Sequence, residues 1–270
     1  MKLSGRSNFL LTFAATGLLI LFLGSSFSFA AASSPSSAIA TRTSSALLKY
    51  HCIDCWAGYS IQDSTNGTIT AVQATLLVPT ASCKGAAGKN GSSDFIIGLD
   101  GISNGNDFAT AGVYINCHNG QVQYLPELFD VNTGQAEAAT WNSSSGDKVF
   151  ISIAYLSGNW VYKIHDLTLK KSLTATLAAT GAGLNSAECI FDTYEGSSGI
   201  YPVERFSTAS FSNCIVTAHG KTGGIGSSFG SAYTLYENIC YNHNGKEIIA
   251  SPSKLMRKKD FTVTWRSSGP

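Results

Sequence analysis

The segment DFIIGLDGISNGNDFATAGVY, residues 94–114, contains two apolar runs separated by a polar turn. The first run ends at Asp100, and the second resumes at Phe108. Gly, Asn, Asp and Ser fill the interval, as they do in loops between strands. The segment therefore predicts two buried β-strands. Their connecting loop would place Asp100 and Thr110 at the edge of a hydrophobic core, where sites are commonly built.

The rest of the chain from residue 49 onward shows the same pattern of short apolar runs and polar turns. Short runs of aliphatic, aromatic and β-branched residues are separated by turn signals about every ten residues. In residues 148–156 the apolar side chains alternate, from Val149 to Tyr155. We find no helical period of ten or more residues. These patterns predict an all-β fold, a two-sheet antiparallel β-sandwich of jelly-roll or concanavalin-like type, with residues 49–270 as one domain.

The N-terminus has the features of an export signal. Lys2 and Arg6 precede an apolar run at residues 9–23, and an A-x-A cleavage site follows. We interpret residues 1–32 as a secretory signal peptide and the Ser/Ala/Thr-rich residues 33–48 as a flexible leader or short pro-segment. The alternative is a membrane anchor, although about 15 apolar residues are few for a membrane span. We therefore expect a secreted protein that is not membrane-bound after signal removal.

Composition restricts the partners. Of the 18 basic and 17 acidic residues, two basic ones lie in the signal peptide, which leaves a nearly neutral mature chain. Such a chain is not expected to bind nucleic acid or an anionic membrane. Apolar residues make up 44% of the sequence, which is enough to build one large core. We expect a monomer.

All seven cysteines follow the signal peptide. In an exported chain they predict disulfides, with at least one cysteine left over, although the pairing cannot be deduced from the sequence. Cys52 and Cys55 beside His51 could form half of a zinc site, but no second motif supplies the remaining ligands. We therefore expect neither a metal nor another cofactor.

Nine segments, in order along the chain, resemble the glutamic endopeptidases, or eqolisins. They are WAG at 56–58, VQATLLVP at 72–79, IIGLDG at 96–101, ATAGV at 109–113, LPELF at 125–129, GD at 146–147, AECIFD at 187–192, FSTASF at 206–211 and the final run at 261–265. They match family segments such as N-W-A-G, W-V-G-I-D-G, L-Q-x-G-V, W-Y-E-W-Y and A-E-W-I-V-E. The resemblance covers about residues 50–266 and implies a secreted acid peptidase on a β-sandwich.

The resemblance also assigns roles to residues. The family uses a Glu to activate the attacking water and a Gln to hold the oxyanion. The Glu position is Asp192 here and the Gln position is Thr110. The first acid of the A-E-W-I-V-E segment is retained as Glu188, and we count Asp192, Thr110 and Glu188 as the catalytic candidates. The supporting or substrate-binding candidates are Asp100 and Glu127, which match family acids, and Ile96, which replaces a family Trp.

The substitutions leave two hypotheses. An Asp in place of Glu withdraws the carboxylate by about 1.5 Å, and a lost oxyanion donor costs about 10²–10³ in rate. One hypothesis is a peptidase that cleaves extended polypeptide in a groove of one sheet, either weakly or rescued by crowded acids, one of which would have a raised pKa. The alternative is a catalytically inactive β-sandwich that binds a peptide or glycan.

Overall fold

The computed structural model describes residues 47–53, 56–65, 67–84, 91–102, 108–193, 195–196, 199–200, 202–242 and 245–268. The predicted signal peptide and nearly all of the predicted leader lie outside these residues. The first strand begins at Leu47, two residues before the predicted start of the domain. The described part of the chain has no helix, and so none there is long and apolar enough to cross a membrane.

Twenty strands form the described fold. They are β1 (Leu47–Ile53), β2 (Ala57–Asp63), β3 (Ile69–Leu77), β4 (Ala81–Ser82), β5 (Ser92–Leu99), β6 (Ala109–His118), β7 (Gln121–Asp130), β8 (Gln135–Ala138), β9 (Lys148–Leu156), β10 (Asn159–Asp166), β11 (Lys171–Ala178), β12 (Ser186–Asp192), β13 (Glu195–Gly196), β14 (Gly199–Ile200), β15 (Arg205–Phe206), β16 (Ala209–Ala218), β17 (Lys221–Gly224), β18 (Tyr233–Tyr241), β19 (Ile248–Pro252) and β20 (Phe261–Trp265). The all-β prediction is confirmed.

The strands form two packed layers joined by a continuous hydrogen-bonded path. The path runs β11-β10-β9-β3-β16-β20-β19-β18-β2-β12-β5-β6-β7-β8. Its two arms lie face to face, because β3 contacts β5 and β12, β9 contacts β5 and β6, and β11 contacts β8. The described pairings are antiparallel except for β1 with β18. This is the predicted two-sheet sandwich, with its apolar core between the layers.

The alternation predicted for residues 148–156 is confirmed in β9. Val149, Ile151 and Ile153 are fully buried and pack in the core, and Tyr155 lies against it. Side chains at every second position of a strand point to the same face. The two apolar runs of residues 94–114 likewise form β5 and β6, which pair directly.

Two disulfides are present among the described cysteines. Cys83 pairs with Cys117, and Cys189 pairs with Cys214. The second bond joins β12 in one layer to β16 in the other and crosses the core. Their presence confirms the disulfides expected from the sequence. Such bonds are typical of exported proteins.

Two features of the C-terminal part differ from the interpretation of the sequence. Residues 220–230, which are rich in Gly and Ser, suggest a long loop, but β17 forms there and pairs with β16. A Cβ on Gly224 would lie 2.4 Å from the carbonyl oxygen of Lys258, so glycine at that position permits close backbone packing. Strand β19 was not predicted, and it follows the segment 242–245, which the sequence suggests is a turn and whose two central residues lie outside the described residues.

Candidate active site

Strand β5 separates the core from an outer face of its sheet. Phe95, Ile97 and Leu99 belong to the core, whereas Ile96 joins a separate small cluster with Phe108 and Ile190. Because side chains alternate along a strand, Asp94 and Gly98 share the outer face with Ile96. The strands on either side, β12 and β6, continue this face.

The register arranges the outer-face positions in three cross-strand rows. Each row contains one residue from β7, β6, β5 and β12, named here in that order. The first row consists of Phe129, Thr110, Gly98 and Glu188, and the second consists of Glu127, Gly112, Ile96 and Ile190. The third row consists of Leu125, Tyr114, Asp94 and Asp192. Successive rows are two residues, or about 7 Å, apart along the strands. Five of the six candidates from the sequence thus lie on neighbouring strands of one sheet, and Asp100 follows at the end of β5.

A cavity of about 260 Å³ opens on this face. Its lining contains three acidic and six other residues: Asp94, Glu127 and Asp192, together with Ile96, Phe108, Thr110, Phe129, Val131 and Ala136. The site therefore combines an apolar wall with a cluster of carboxyl groups. The structure thus brings Thr110 and Asp192, the two catalytic candidates that the sequence analysis aligns with the family's Gln and Glu, to one cavity.

Within the cavity, Thr110 and Asp192 stand at opposite corners. They belong to the first and third rows, four residues or about 13 Å apart along the strands, and β5 lies between them. The Thr110 hydroxyl donates a 3.4 Å hydrogen bond to the backbone carbonyl of Phe129. Asp192 is half-buried, and its Oδ1 accepts a hydrogen bond of 2.7 Å from the backbone N–H of Thr193.

Glu188 lies beneath the cavity and does not line it. Its side chain is fully buried, and among the described residues neither carboxyl oxygen has a hydrogen bond of good geometry. A Cβ on Gly98 would lie 2.2 Å from the ring of Phe108 and 3.0 Å from Oε2 of Glu188, so ring and carboxyl share the space above this glycine. Burial raises the pKa of Glu188 to about 8, although nearby donors on Ser186, Gly101 and Ile102 oppose the shift, and the charge of Asp100 adds to it.

The carboxylate of Asp100 binds the backbone of a neighbouring segment and does not line the cavity. Its Oδ2 accepts a hydrogen bond of 2.9 Å from the N–H of Leu184, and its Oδ1 accepts one of 2.8 Å from the N–H of Asn185. Burial raises the pKa of Asp100, although these backbone donors oppose the shift. Asp100 has a φ of 68°, and it fixes the segment that leads into β12.

Asp94 was missed at the sequence level. It has only 8% exposure and lies directly opposite Asp192. Burial raises the pKa of Tyr114, and Asp94 and Glu127 add to the shift, which indicates that both carboxyl groups lie near this phenol. An aspartate two residues before Ile96 in an apolar strand was the available signal, but its importance depends on the register with β12.

Several glutamic peptidases of known structure share this fold. A scytalido-glutamic peptidase bound to a transition-state-analogue inhibitor matches with a TM-score of 0.61 and 18% identity, over 79% of this chain and 98% of that chain. SCP-B, an eqolisin in complex with the tripeptide Ala-Ile-His, matches with a TM-score of 0.57 and 15% identity, over 80% of this chain and 100% of that chain. The aspergilloglutamic peptidase from Aspergillus niger matches with a TM-score of 0.54 and 20% identity, over 65% of this chain and 99% of that chain.

At these identities the structural matches show the fold alone. A search among curated proteins finds no significant match. The sequence profile of the peptidase A4 family, however, matches residues 54–265, which is most of the chain and nearly the whole sandwich. The resemblance to eqolisins inferred from nine short segments is therefore confirmed, and the chain belongs to the peptidase A4 family.

Proposed function

We propose that this protein is a secreted endopeptidase that hydrolyses peptide bonds of extended polypeptides under acidic conditions. The observation that carries the proposal is the cavity on the outer face, where Asp192 lies beside two further carboxyl groups on a glutamic-peptidase fold. Carboxyl groups crowded in one site cannot all ionise easily, so at acidic pH some hold a proton while another acts as a base. Two disulfides support export.

Asp192 is the proposed base that takes a proton from the attacking water. Its partial exposure leaves room for water, and the N–H of Thr193 stabilises its ionised form. Thr110 is the proposed oxyanion donor. Because its hydroxyl already contacts the carbonyl of Phe129 and lies far from Asp192, we expect a small contribution, with a loss of about tenfold or less for Thr110→Val.

The other candidates have supporting roles in this proposal. Glu127 shares the cavity with Asp192 and adds negative potential, and Ile96 forms part of the apolar wall with Phe108. Glu188 supports that wall from below, and Asp100 holds the start of β12. The apolar wall favours substrates with an apolar side chain next to the cleaved bond.

Digestion of casein between pH 2 and 7 tests the proposal. We expect cleavage at acidic pH, and we expect Asp192→Ala to reduce the rate by at least 100-fold, since general bases contribute about 10²–10⁴. The control is Glu247→Gln, which alters an exposed acid outside the cavity. Cleavage that survives Asp192→Ala would reject Asp192 as the base.

A binding module is the second candidate, and the altered dyad favours it. Thr110 and Asp192 are both shorter than the Gln and Glu of the family, and they stand at opposite corners of the cavity. The double variant Thr110→Gln with Asp192→Glu separates the two functions. If the wild type is silent and the double variant cleaves, the natural protein is a binder with an intact groove.

A further inference from the structure

We propose that Asp94 and Asp192 form a proton-sharing carboxyl pair that activates the hydrolytic water, with Asp94 as the catalytic acid. This inference rests on the proposed function, since it describes how the same cavity would cleave a peptide bond. It assigns the second catalytic role to a residue outside the family dyad, and it takes Thr110 out of the principal role.

The sheet register supports the pair. Asp94 and Asp192 are direct neighbours on antiparallel strands, and they face the same cavity. Side chains at such positions have Cβ atoms about 4.5–5.5 Å apart, so two aspartates there can share one water or one proton. Thr110 and Asp192, by contrast, are separated by an intervening strand and about 13 Å along the strands.

The surroundings of the two aspartates favour different protonation states. Asp94 is 8% exposed, and burial disfavours a charged carboxylate. Asp192 is half-buried, and its Oδ1 accepts the 2.7 Å hydrogen bond from Thr193, which favours the charged form. Asp94 is therefore the member that holds the shared proton, and Asp192 is the ionised base.

The other ionisable groups around Asp94 point the same way. Tyr114 lies opposite it on β6, and Glu127 lies one row away on β7. Glu204 faces the other side of β5, where it accepts a hydrogen bond from Ser93. At acidic pH Tyr114 is neutral, and so is Glu204, because burial raises its pKa to about 8. Glu127 adds to the cost of a second negative charge in the pair wherever it is ionised, and none of the three groups supplies a positive charge to offset that cost.

The reaction balances without another reactant. Asp192 removes a proton from water as the water oxygen bonds to the peptide carbon, and Asp94 gives its proton to the carbonyl oxygen. The product of this step is a neutral gem-diol. Asp192 then protonates the amide nitrogen, Asp94 takes a proton from one hydroxyl, and the C–N bond breaks. The acid and the amine leave with both aspartates in their starting states.

Carboxyl ¹³C NMR of the purified protein tests the pair without an activity assay. We expect Asp94 and Asp192 to titrate in two separated steps, as coupled acids do. In Asp94→Asn, the coupling is removed, and Asp192 should titrate in a single step. Independent titration of the two groups in the wild type would overturn the pair.

Kinetics provide the second readout. In Asp94→Asn, which keeps the shape of the side chain, we expect kcat/KM to fall by at least 100-fold and the descending limb of the pH profile to disappear. Asp94→Ser is a second variant in case the first does not fold, and Glu247→Gln is the control. An unchanged profile in a folded Asp94 variant would overturn the inference.

The two experiments separate this inference from the proposed function. If the wild type is active and a folded Asp94 variant is equally active, the carboxyl pair is rejected but the peptidase function stands. A silent wild type whose Asp94 and Asp192 still titrate in two steps rejects the peptidase and keeps the pair.

Discussion

Single glycines determine how closely the strands of the site approach. A Cβ on Gly112 would lie 2.2 Å from the carbonyl oxygen of Phe95 and 2.7 Å from Cγ2 of Ile96. The first contact is with the backbone of the neighbouring strand, which cannot move without separating β5 from β6. Glycine at this position thus allows Ile96 to cover the middle row of the site.

We therefore expect Gly112→Ala to destabilise the fold by about 1–3 kcal/mol, as overpacking does, and to lower activity. Urea unfolding measures the change. Gly223→Ala is a matched comparison, because its nearest neighbour is a side-chain atom of Ser227 at 3.1 Å, and its effect should be smaller. Equal stability of Gly112→Ala and the wild type would contradict the close approach of β5 and β6.

The buried carboxyl group of Glu188 makes the stability of the protein depend on pH. Its pKa is about 8 in the folded protein against about 4.5 for the free side chain, so the folded state binds more protons between these pH values. Its effect on stability is absent below about pH 4.5 and grows more unfavourable as the pH rises to 8.

Glu188→Gln should therefore stabilise the protein at pH 8 by about 2–4 kcal/mol and change little at pH 4. Thermal unfolding at both pH values measures the difference, and Glu247→Gln should show neither effect. A loss of stability at pH 8 would mean that the Glu188 carboxylate has a stabilising partner.

The sequence proposes candidate residues, but it does not predict their arrangement. Thr110 and Asp192 could be found because short motifs surround them, and both line one cavity. The relation between Asp94 and Asp192 depends on a register between strands more than ninety residues apart in the chain, which no local pattern encodes. The burial of Glu188 near the Phe108 ring likewise depends on the folded arrangement of the strands.

At the level of elements, β12 connects the site to the core. Its even-numbered residues face the outer side, whereas Cys189 and Phe191 face the core, where Cys189 bonds to Cys214 of β16. Hydrogen bonds to β5 and β2 hold the strand in place on both sides. The disulfide therefore stabilises the sandwich, and the sheet register orients Asp192.

Replacing Cys189 and Cys214 together by Ala should lower the free energy of unfolding by about 3 kcal/mol, given the 25 residues that separate them. The folded fraction should keep its specific activity, because β12 retains its register. Denaturant unfolding and activity at low temperature measure both effects. A folded variant without activity would show that the disulfide also positions Asp192.

Strands of regular alternation were predicted correctly, and those that depend on close backbone packing were not. Strand β9 coincides with the prediction because its apolar residues alternate. Strand β17 contains Gly223 and Gly224, which suggest a loop unless the nearby backbone at Lys258 is known. In general, glycine in a strand marks close approach of another backbone, and only the structure identifies the neighbour.

The molecule as a whole should be most stable in mildly acidic solution. Burial raises the pKa of Glu204, like that of Glu188, to about 8. Both groups therefore destabilise the folded state progressively as pH rises above about 4.5. The pKa of Asp63 is shifted in the opposite direction. Burial would raise this pKa, but hydrogen bonds from Thr68 and Thr65 lower it overall. Ionised Asp63 therefore stabilises the fold, and this stabilisation is lost only when the pH falls below the range in which an aspartate ordinarily titrates.

We expect the melting temperature to be highest between about pH 4 and 6 and to fall toward pH 8. Calorimetry across this range measures the profile. The double variant Glu188→Gln with Glu204→Gln should flatten the decline above pH 6. A melting temperature that rises from pH 5 to pH 8 in the wild type would contradict the assignment of two neutral buried carboxyl groups.

The central claim is that the carboxyl group of Asp192 activates water for peptide cleavage in the cavity of the outer face. The most direct test is kcat/KM on one fluorogenic peptide at the pH optimum for the wild type and for Asp192→Asn, which keeps the side-chain shape. We predict a loss of at least 100-fold in a variant that folds like the wild type. Equal kcat/KM values for the two proteins would contradict the claim.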